Sequence, residues 1–166
     1  MITFNLYAPD AEEAVVRNVT KADVEDESVV RGGVEMPLLI TSGGASVERW
    51  LRKVAAGYGF QVGDLHYLFC TDEQELAVNR QFLGHDYYTD VITFDYSTPS
   101  TLSGDVFISL DTVRSNAEEI GTGFDRELLR ILVHGLLHLT GQGDKTTETK
   151  AQMTAKEEDA LRLYRS

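Results

Sequence analysis

Two rhythms of apolar residues run along the chain, one repeating every second residue and one every third or fourth. Ile2 to Tyr7 reads as a first strand. Leu65-His66-Tyr67-Leu68-Phe69-Cys70 is a short apolar run of the kind that forms a buried strand. Val91-Ile92-Thr93-Phe94 and Gly104 to Ser109 are two further strands. The helical period appears in Val47, Trp50, Leu51, Val54, Ala55 and Tyr58, which predicts a helix from Ser46 to about Gly57. Thr71 or Asp72 caps a second helix through Leu83, with Gly84 as its stop, and Asp111 caps a third that ends near Gly121. A fourth helix covers about Asp125 to Thr140, and a last amphipathic one runs through Tyr164. Residues 8–45 are acid-rich and broken by Gly32-Gly33 and Gly43-Gly44, so they read as a loop with one more strand around Val34 to Ile40. His85 to Asp90 is a polar turn, and Ser97 to Ser103, with Pro99, a turn or loop. Strands and helices alternate early and helices dominate late. That order predicts an α+β fold, a small mixed β-sheet of about four strands packed with helices, in a single domain over residues 1–166.

The fourth helix departs from simple amphipathicity. Leu128, Leu129, Ile131, Leu132, Val133, Leu136, Leu137 and Leu139 make it apolar on nearly every side, as in a buried central helix. Glu127, Arg130, His134 and His138 nevertheless fall in one stripe about 80° wide at 100° per residue. A buried polar stripe costs a few kcal/mol for each unpaired group, so it needs partners. His134 and His138 are offset by only about 40° and leave the same face. Gly141 is placed to end the helix in a left-handed turn, Gly143 frees the return, and Asp144 can swing back toward both rings. A His/His/Asp set suits Zn²⁺ and leaves a fourth position open. The competing account is that such histidines are structural, satisfied by ordinary hydrogen bonds.

Composition narrows the setting. The 166 residues fit one domain with a real core. Cys70 is the single cysteine, so no internal disulfide forms, which suits a reducing compartment. The first residues lack the charged start and apolar core of a signal peptide, and no run approaches the length of a membrane span. The expected location is the cytoplasm, with no membrane partner. Fifteen basic residues against 27 acidic ones give a net charge of −12, which disfavours non-specific affinity for DNA or anionic lipid. A polyanionic substrate would need a local basic patch or a bound cation. Arg49, Arg52 and Lys53 share one face of the first helix, either as a solvated surface or as such a patch.

Three stretches now stand in order: Asn79-Arg80-Gln81-Phe82-Leu83-Gly84-His85-Asp86-Tyr87-Tyr88-Thr89-Asp90-Val91-Ile92-Thr93-Phe94, Gly104 to Ser109, and His134-Gly135-Leu136-Leu137-His138-Leu139-Thr140-Gly141-Gln142-Gly143-Asp144. Together they resemble the YbeY family of bacterial endoribonucleases, the rRNA maturation factors, over roughly residues 65–164. The resemblance implies one Zn²⁺ per chain, cleavage of single-stranded RNA, and a role in maturing the 3′ end of small-subunit ribosomal RNA during ribosome assembly. Its implied partners are ribosomal RNA and the small ribosomal subunit. Three positions depart from the family pattern. Asp144 stands where the family has a third histidine, Leu83 where it has an arginine, and Tyr88 where it has proline. Carboxylate is a good Zn²⁺ ligand, so His134, His138 and Asp144 are the expected metal ligands. Leucine cannot stabilise phosphoryl charge, so Arg80 and His85 are the candidates to bind substrate in place of the arginine.

The histidine spacing is also that of the zincin peptidases, whose signature places a glutamate directly after the first histidine as general base. Gly135 holds that place here and cannot take a proton. Loss of the base suits phosphodiester chemistry, in which a metal polarises a phosphoryl oxygen or lowers the pKa of its bound water. Glu127, Asp105 and Lys145 are conceivable proton carriers, and each has a structural reading as well. Two alternatives accompany the nuclease: an assembly factor with a structural metal and little nuclease activity, and a zinc metallopeptidase.

Overall fold

The computed structural model describes residues 1–8, 30–31, 34–83 and 91–165. Along the chain these form β1 (Ile2–Leu6), β2 (Val30–Arg31), β3 (Val34–Glu35), α1 (Leu38–Gly57), β4 (Gln61–Cys70), α2 (Asp72–Val78), β5 (Val91–Asp95), β6 (Thr101–Ser109), α3 (Leu110–Ile120), α4 (Phe124–Leu139) and α5 (Thr147–Leu163). A single π-helical turn, Asn79–Leu83, extends α2. β2 and β3 make a two-residue antiparallel pair of their own. The main sheet has the order β1-β4-β6-β5, with β1, β4 and β6 parallel and β5 antiparallel at one edge. The fold is therefore α+β with a four-stranded mixed sheet and five α-helices, as the order of patterns predicts.

Strand alternation gives the sheet two unlike faces. Ile2, Phe4, Leu6, Leu65, Tyr67, Phe69, Leu102, Val106 and Ile108 are buried on one side, where α1 and α4 pack. Register places Thr3, His66, Asp105 and Phe94 in a row across the other side. α4 is pinned to the first face at two points. The Tyr67 hydroxyl donates to the Leu132 carbonyl oxygen at 2.8 Å. One turn further on, Gly135 lies so close to β6 that an added Cβ would stand 2.8 Å from Val106 Cγ1, so only glycine permits this approach. α5 crosses behind α4 and is tied to α1 by the Trp50 indole N–H, which donates to the Ala160 carbonyl at 2.7 Å.

Several boundaries differ from expectation. α1 begins at Leu38, not Ser46, and the strand expected over Val34 to Ile40 is only the two residues of β3. Pro37, with φ −59°, turns the chain into the helix, and Ile40 joins the core. Gly43, at φ −132° and ψ 18°, bends this helix without ending it. β6 starts at Thr101, so the turn expected over residues 97–103 is tighter: Ser97 Oγ accepts from the Ser103 N–H and closes it. Ser109, not Asp111, caps α3. Asp111 instead accepts the Asp72 N–H at the start of α2, while Asp72 accepts the Ser109 and Thr112 hydroxyls, so the two helix starts cap each other. Gly84 and the turn from His85 to Asp90 lie outside the described residues. Among those described, no helix is long and apolar enough to cross a membrane.

Candidate metal centre

Two helical positions one turn apart supply the nitrogens. His134 and His138 leave α4 with their rings 4.5 Å apart, nearly perpendicular, and their Nε2 atoms 3.0 Å from each other. Gly141 takes φ +99°, the left-handed conformation that reverses the chain after the helix. Three residues later Asp144 Oδ2 stands 3.4 Å from His134 Nε2 and 3.3 Å from His138 Nε2. The three predicted residues are thus brought together, and among the described residues no fourth histidine, cysteine or carboxylate joins the group.

The second nitrogen of each ring fixes what the first can do. His138 Nδ1 lies 3.0 Å from the Gln142 carbonyl oxygen, which only accepts, so the proton of the neutral ring sits on Nδ1. His134 Nδ1 lies 2.5 Å from Glu157 Oε2, and a carboxylate likewise accepts, which places that proton on Nδ1 too. Both Nε2 atoms therefore present lone pairs, and they present them to each other and to an Asp144 carboxylate oxygen. Three electron-rich atoms at such separations repel unless a cation lies among them. A cation held tetrahedrally at roughly 2.0–2.1 Å puts its ligands roughly 3.3–3.4 Å apart, close to the spacings observed. The donor set fits a divalent metal ion. Without one, burial, then the neighbouring His134, push the His138 pKa below the ordinary histidine value, with Asp144 opposing both.

Behind the rings runs a buried chain of charge. Glu157 accepts from His134 with one oxygen and from Arg130 with the other, at 3.1 Å. Arg130 also grips both oxygens of Glu127, at 2.7 and 2.6 Å, and Asn116 Nδ2 donates to Glu127 at 3.3 Å. The hydrogen bond to Glu127 is the first cause that raises the Arg130 pKa still further, so the guanidinium stays charged. This network satisfies the polar stripe of α4 and holds the His134 ring in place. Glu157 was not among the residues singled out from sequence. Its signal is positional: it shares with Met153 and Ala160 the apolar stripe of α5, where a glutamate needs a reason.

The other candidates lie elsewhere. Glu127 sits two helical turns before His134, buried and bound by Arg130. Asp105 points from β6 to the opposite face of the sheet, beside His66. Lys145 is exposed next to Asp144. Arg80 is exposed on the π-helical turn, which reaches β5 through a Phe82–Phe94 edge contact of 5.9 Å. His85 and Tyr88 lie outside the described residues. Arg49 and Arg52 on α1 bond to Ser46 and Glu48 of the same helix. The direction a side chain would take from Gly135 is filled by Val106, so the zincin glutamate is missing and its place is occupied.

An α+β sheet carrying a two-histidine helix, with an acid returned by a glycine turn, is an arrangement that could hold a divalent metal ion, and it lacks the peptidase glutamate at the place of Gly135. Comparison with known sequences gives the family. The profile described as Endoribonuclease YbeY matches residues 41–165, and the chain belongs to this family. The match begins well before the region recognisable from motifs, taking in most of α1. An Endoribonuclease YbeY of Phocaeicola vulgatus is 55% identical over 114 residues, 69% of this chain and 83% of that protein. One of Bacteroides thetaiotaomicron is 49% identical over 131 residues, 79% of this chain and 93% of the relative. The solution structure of TM1509 from Thermotoga maritima shares the fold, with a TM-score of 0.58 at 19% identity, over 98% of this chain and 87% of that one.

Proposed function

We propose that this chain is a metal-dependent endoribonuclease that cuts single-stranded RNA, with Zn²⁺ held by His134, His138 and Asp144. The observation that carries the reading is the convergence of two bare Nε2 atoms and one carboxylate oxygen on a single point. The name of the family and of its relatives supports RNA as substrate. A divalent cation there supplies a Lewis acid for a phosphoryl oxygen and offsets phosphate charge that a protein of net charge −12 would otherwise repel. The protein's own part is positional. Glu157 and the Gln142 carbonyl hold each imidazole proton on the ring nitrogen away from the site, and Arg130 fixes the Glu157 carboxyl group in place. Maturation of the small-subunit ribosomal RNA 3′ end, in the cytoplasm, is the setting we assign, with the small ribosomal subunit as partner. Arg80 and His85 remain the residues proposed to meet the substrate.

The test is cleavage of a labelled single-stranded RNA by purified protein, with and without chelator, beside His138→Ala. Cleavage should vanish with chelator and in the variant. Cleavage that survives both would overturn the reading. Protein that binds metal and small subunits but never cuts would establish the assembly-factor role in its place.

A further inference from the structure

β5 is the edge of the sheet, and among the described residues the outward backbone groups of Thr93 and Asp95 find no partner. The Tyr96 N–H donates to the Ser103 carbonyl, which marks that pair as hydrogen-bonded across the β5–β6 hairpin. Antiparallel ladders alternate, so Phe94 and Ile92 also turn their N–H and C=O toward β6, whereas Thr93 and Asp95 turn theirs outward. The Phe94 carbonyl oxygen indeed lies over Gly104 of β6.

This edge packs against α4, the helix that carries His134 and His138. Gly135 of α4 rests on Val106 of β6, and α1 packs along one flank of α4 over β1 and β4. The imidazoles leave α4 roughly 60–100° around from Gly135, on the side opposite Leu132, whose carbonyl is bonded by Tyr67 of β4. That is the β5 side, where Thr93 pairs with Val106 and shares its face of the sheet.

We propose that the β5 edge binds an extended, basic polypeptide segment by strand addition, laid beside the metal and in competition with RNA. The alternating donors and acceptors at Thr93 and Asp95 complement another strand, whereas outward carbonyls repel a phosphate backbone. Charge selects the occupant: Asp95 is the sole charged residue of β5, it is exposed, and the chain as a whole carries −12. The bound segment is not cut, because the peptidase glutamate is absent and Val106 occupies its place. The inference is independent of RNA cleavage, which is measured separately.

Binding of a fluorescent peptide with alternating lysine and valine is measured by anisotropy at low salt, with its glutamate–valine counterpart and a uridine oligonucleotide as controls. The lysine peptide should bind and the glutamate peptide should not. Thr93→Pro removes the outward N–H without breaking a hydrogen bond to β6 and should weaken lysine-peptide binding about tenfold, with metal content and circular dichroism unchanged. Asp95→Asn keeps the acceptor for the Ser97 N–H, removes the charge and should weaken binding several-fold. A folded Thr93→Pro that binds the peptide normally overturns the proposal. Should that variant not fold, unchanged binding by Asp95→Asn overturns it. Loss of the oligonucleotide instead of the peptide would give the edge to RNA and overturn it likewise.

Discussion

Histidine meets carboxylate on both faces of the sheet, and among the described residues only one of the two meetings could hold a metal ion. On the outer face His66 sits in register between Thr3 and Asp105, and its Nδ1 lies 2.6 Å from the Thr3 hydroxyl. A hydroxyl donates as readily as it accepts, so either tautomer of His66 is satisfied and no cation is called for. On the α4 face the partners of Nδ1 in His134 and His138 only accept, so each ring is left with a bare Nε2 facing the same oxygen. Proximity of imidazole and acid is common to both clusters. The identity of the atom behind each ring separates them.

The hardest test of this contrast removes a ligand from one face and the histidine from the other. His138→Ala deletes one of three donors. If a bound metal contributes about 10 kcal/mol, a third of it is roughly 3 kcal/mol, a loss of over a hundredfold in affinity. His66→Ala should leave metal content by elemental analysis at one equivalent. Equal metal loss in the two variants would erase the distinction. Glu157→Gln asks a finer question, since glutamine keeps an acceptor for the His134 Nδ1 proton but loses the charge that binds Arg130. Supporting groups of this kind are worth about 10–100-fold in metal affinity, and competition with a chromogenic chelator should place the variant there. An affinity equal to that of the parent protein would mean that the carboxylate charge behind His134 is idle.

The seating of α4 on the sheet sets which face its histidines can use. Gly135→Ala pushes a methyl against Val106 Cγ1, costing about 1–3 kcal/mol in overpacking, against about 1 kcal/mol gained in helix propensity. Denaturant unfolding should show a net loss near 1 kcal/mol, recovered in part by Val106→Ala in the same chain. A stabilised Gly135→Ala would show that the helix can lift from the sheet, and the metal centre with it.

How much of this was legible in the sequence follows from the range of each interaction. α4, Gly141 and the grouping of His134, His138 and Asp144 were legible because helical period and a glycine turn are local. So were the positions along the chain of the four strands that build the sheet, though not their order within it. The start of α1 was not: two glycines at 43 and 44 look like breakers, whereas the first turn is held by Pro37, whose carbonyl accepts from Ile40 and Thr41, and by burial of Ile40. The cap of α3 was misassigned because Asp111 serves a helix start 39 residues earlier, which no local pattern records. Glu157 belongs to the same class, since its partners Arg130 and His134 lie on another helix, 27 and 23 residues away. The opposed faces of His66 and His134 are likewise a matter of strand register and tertiary packing.

The two faces should also answer acid with opposite sign, the smallest effect and the most diagnostic. Burial lowers the His138 pKa in metal-free protein, so the unfolded chain takes up a proton before the folded one does. Stability is then full above the unfolded histidine value of about 6.5 and falls as pH drops below it. Burial raises the Asp105 pKa, with His66 opposing, so here the folded state holds its proton longer. That contribution is present below the unfolded aspartate value of about 3.9 and is lost as pH rises through the folded one. Thermal melts in chelator across this range should show His138→Gln flattening the decline below about pH 6.5. Asp105→Asn should raise the melting temperature at neutral pH by a few degrees at most, since the group is only partly buried and His66 opposes the shift. If Asp105→Asn instead destabilised the neutral protein, the ionised acid would be a needed partner of His66, and the outer row would be an ion pair rather than a solvated hydrogen-bonded one.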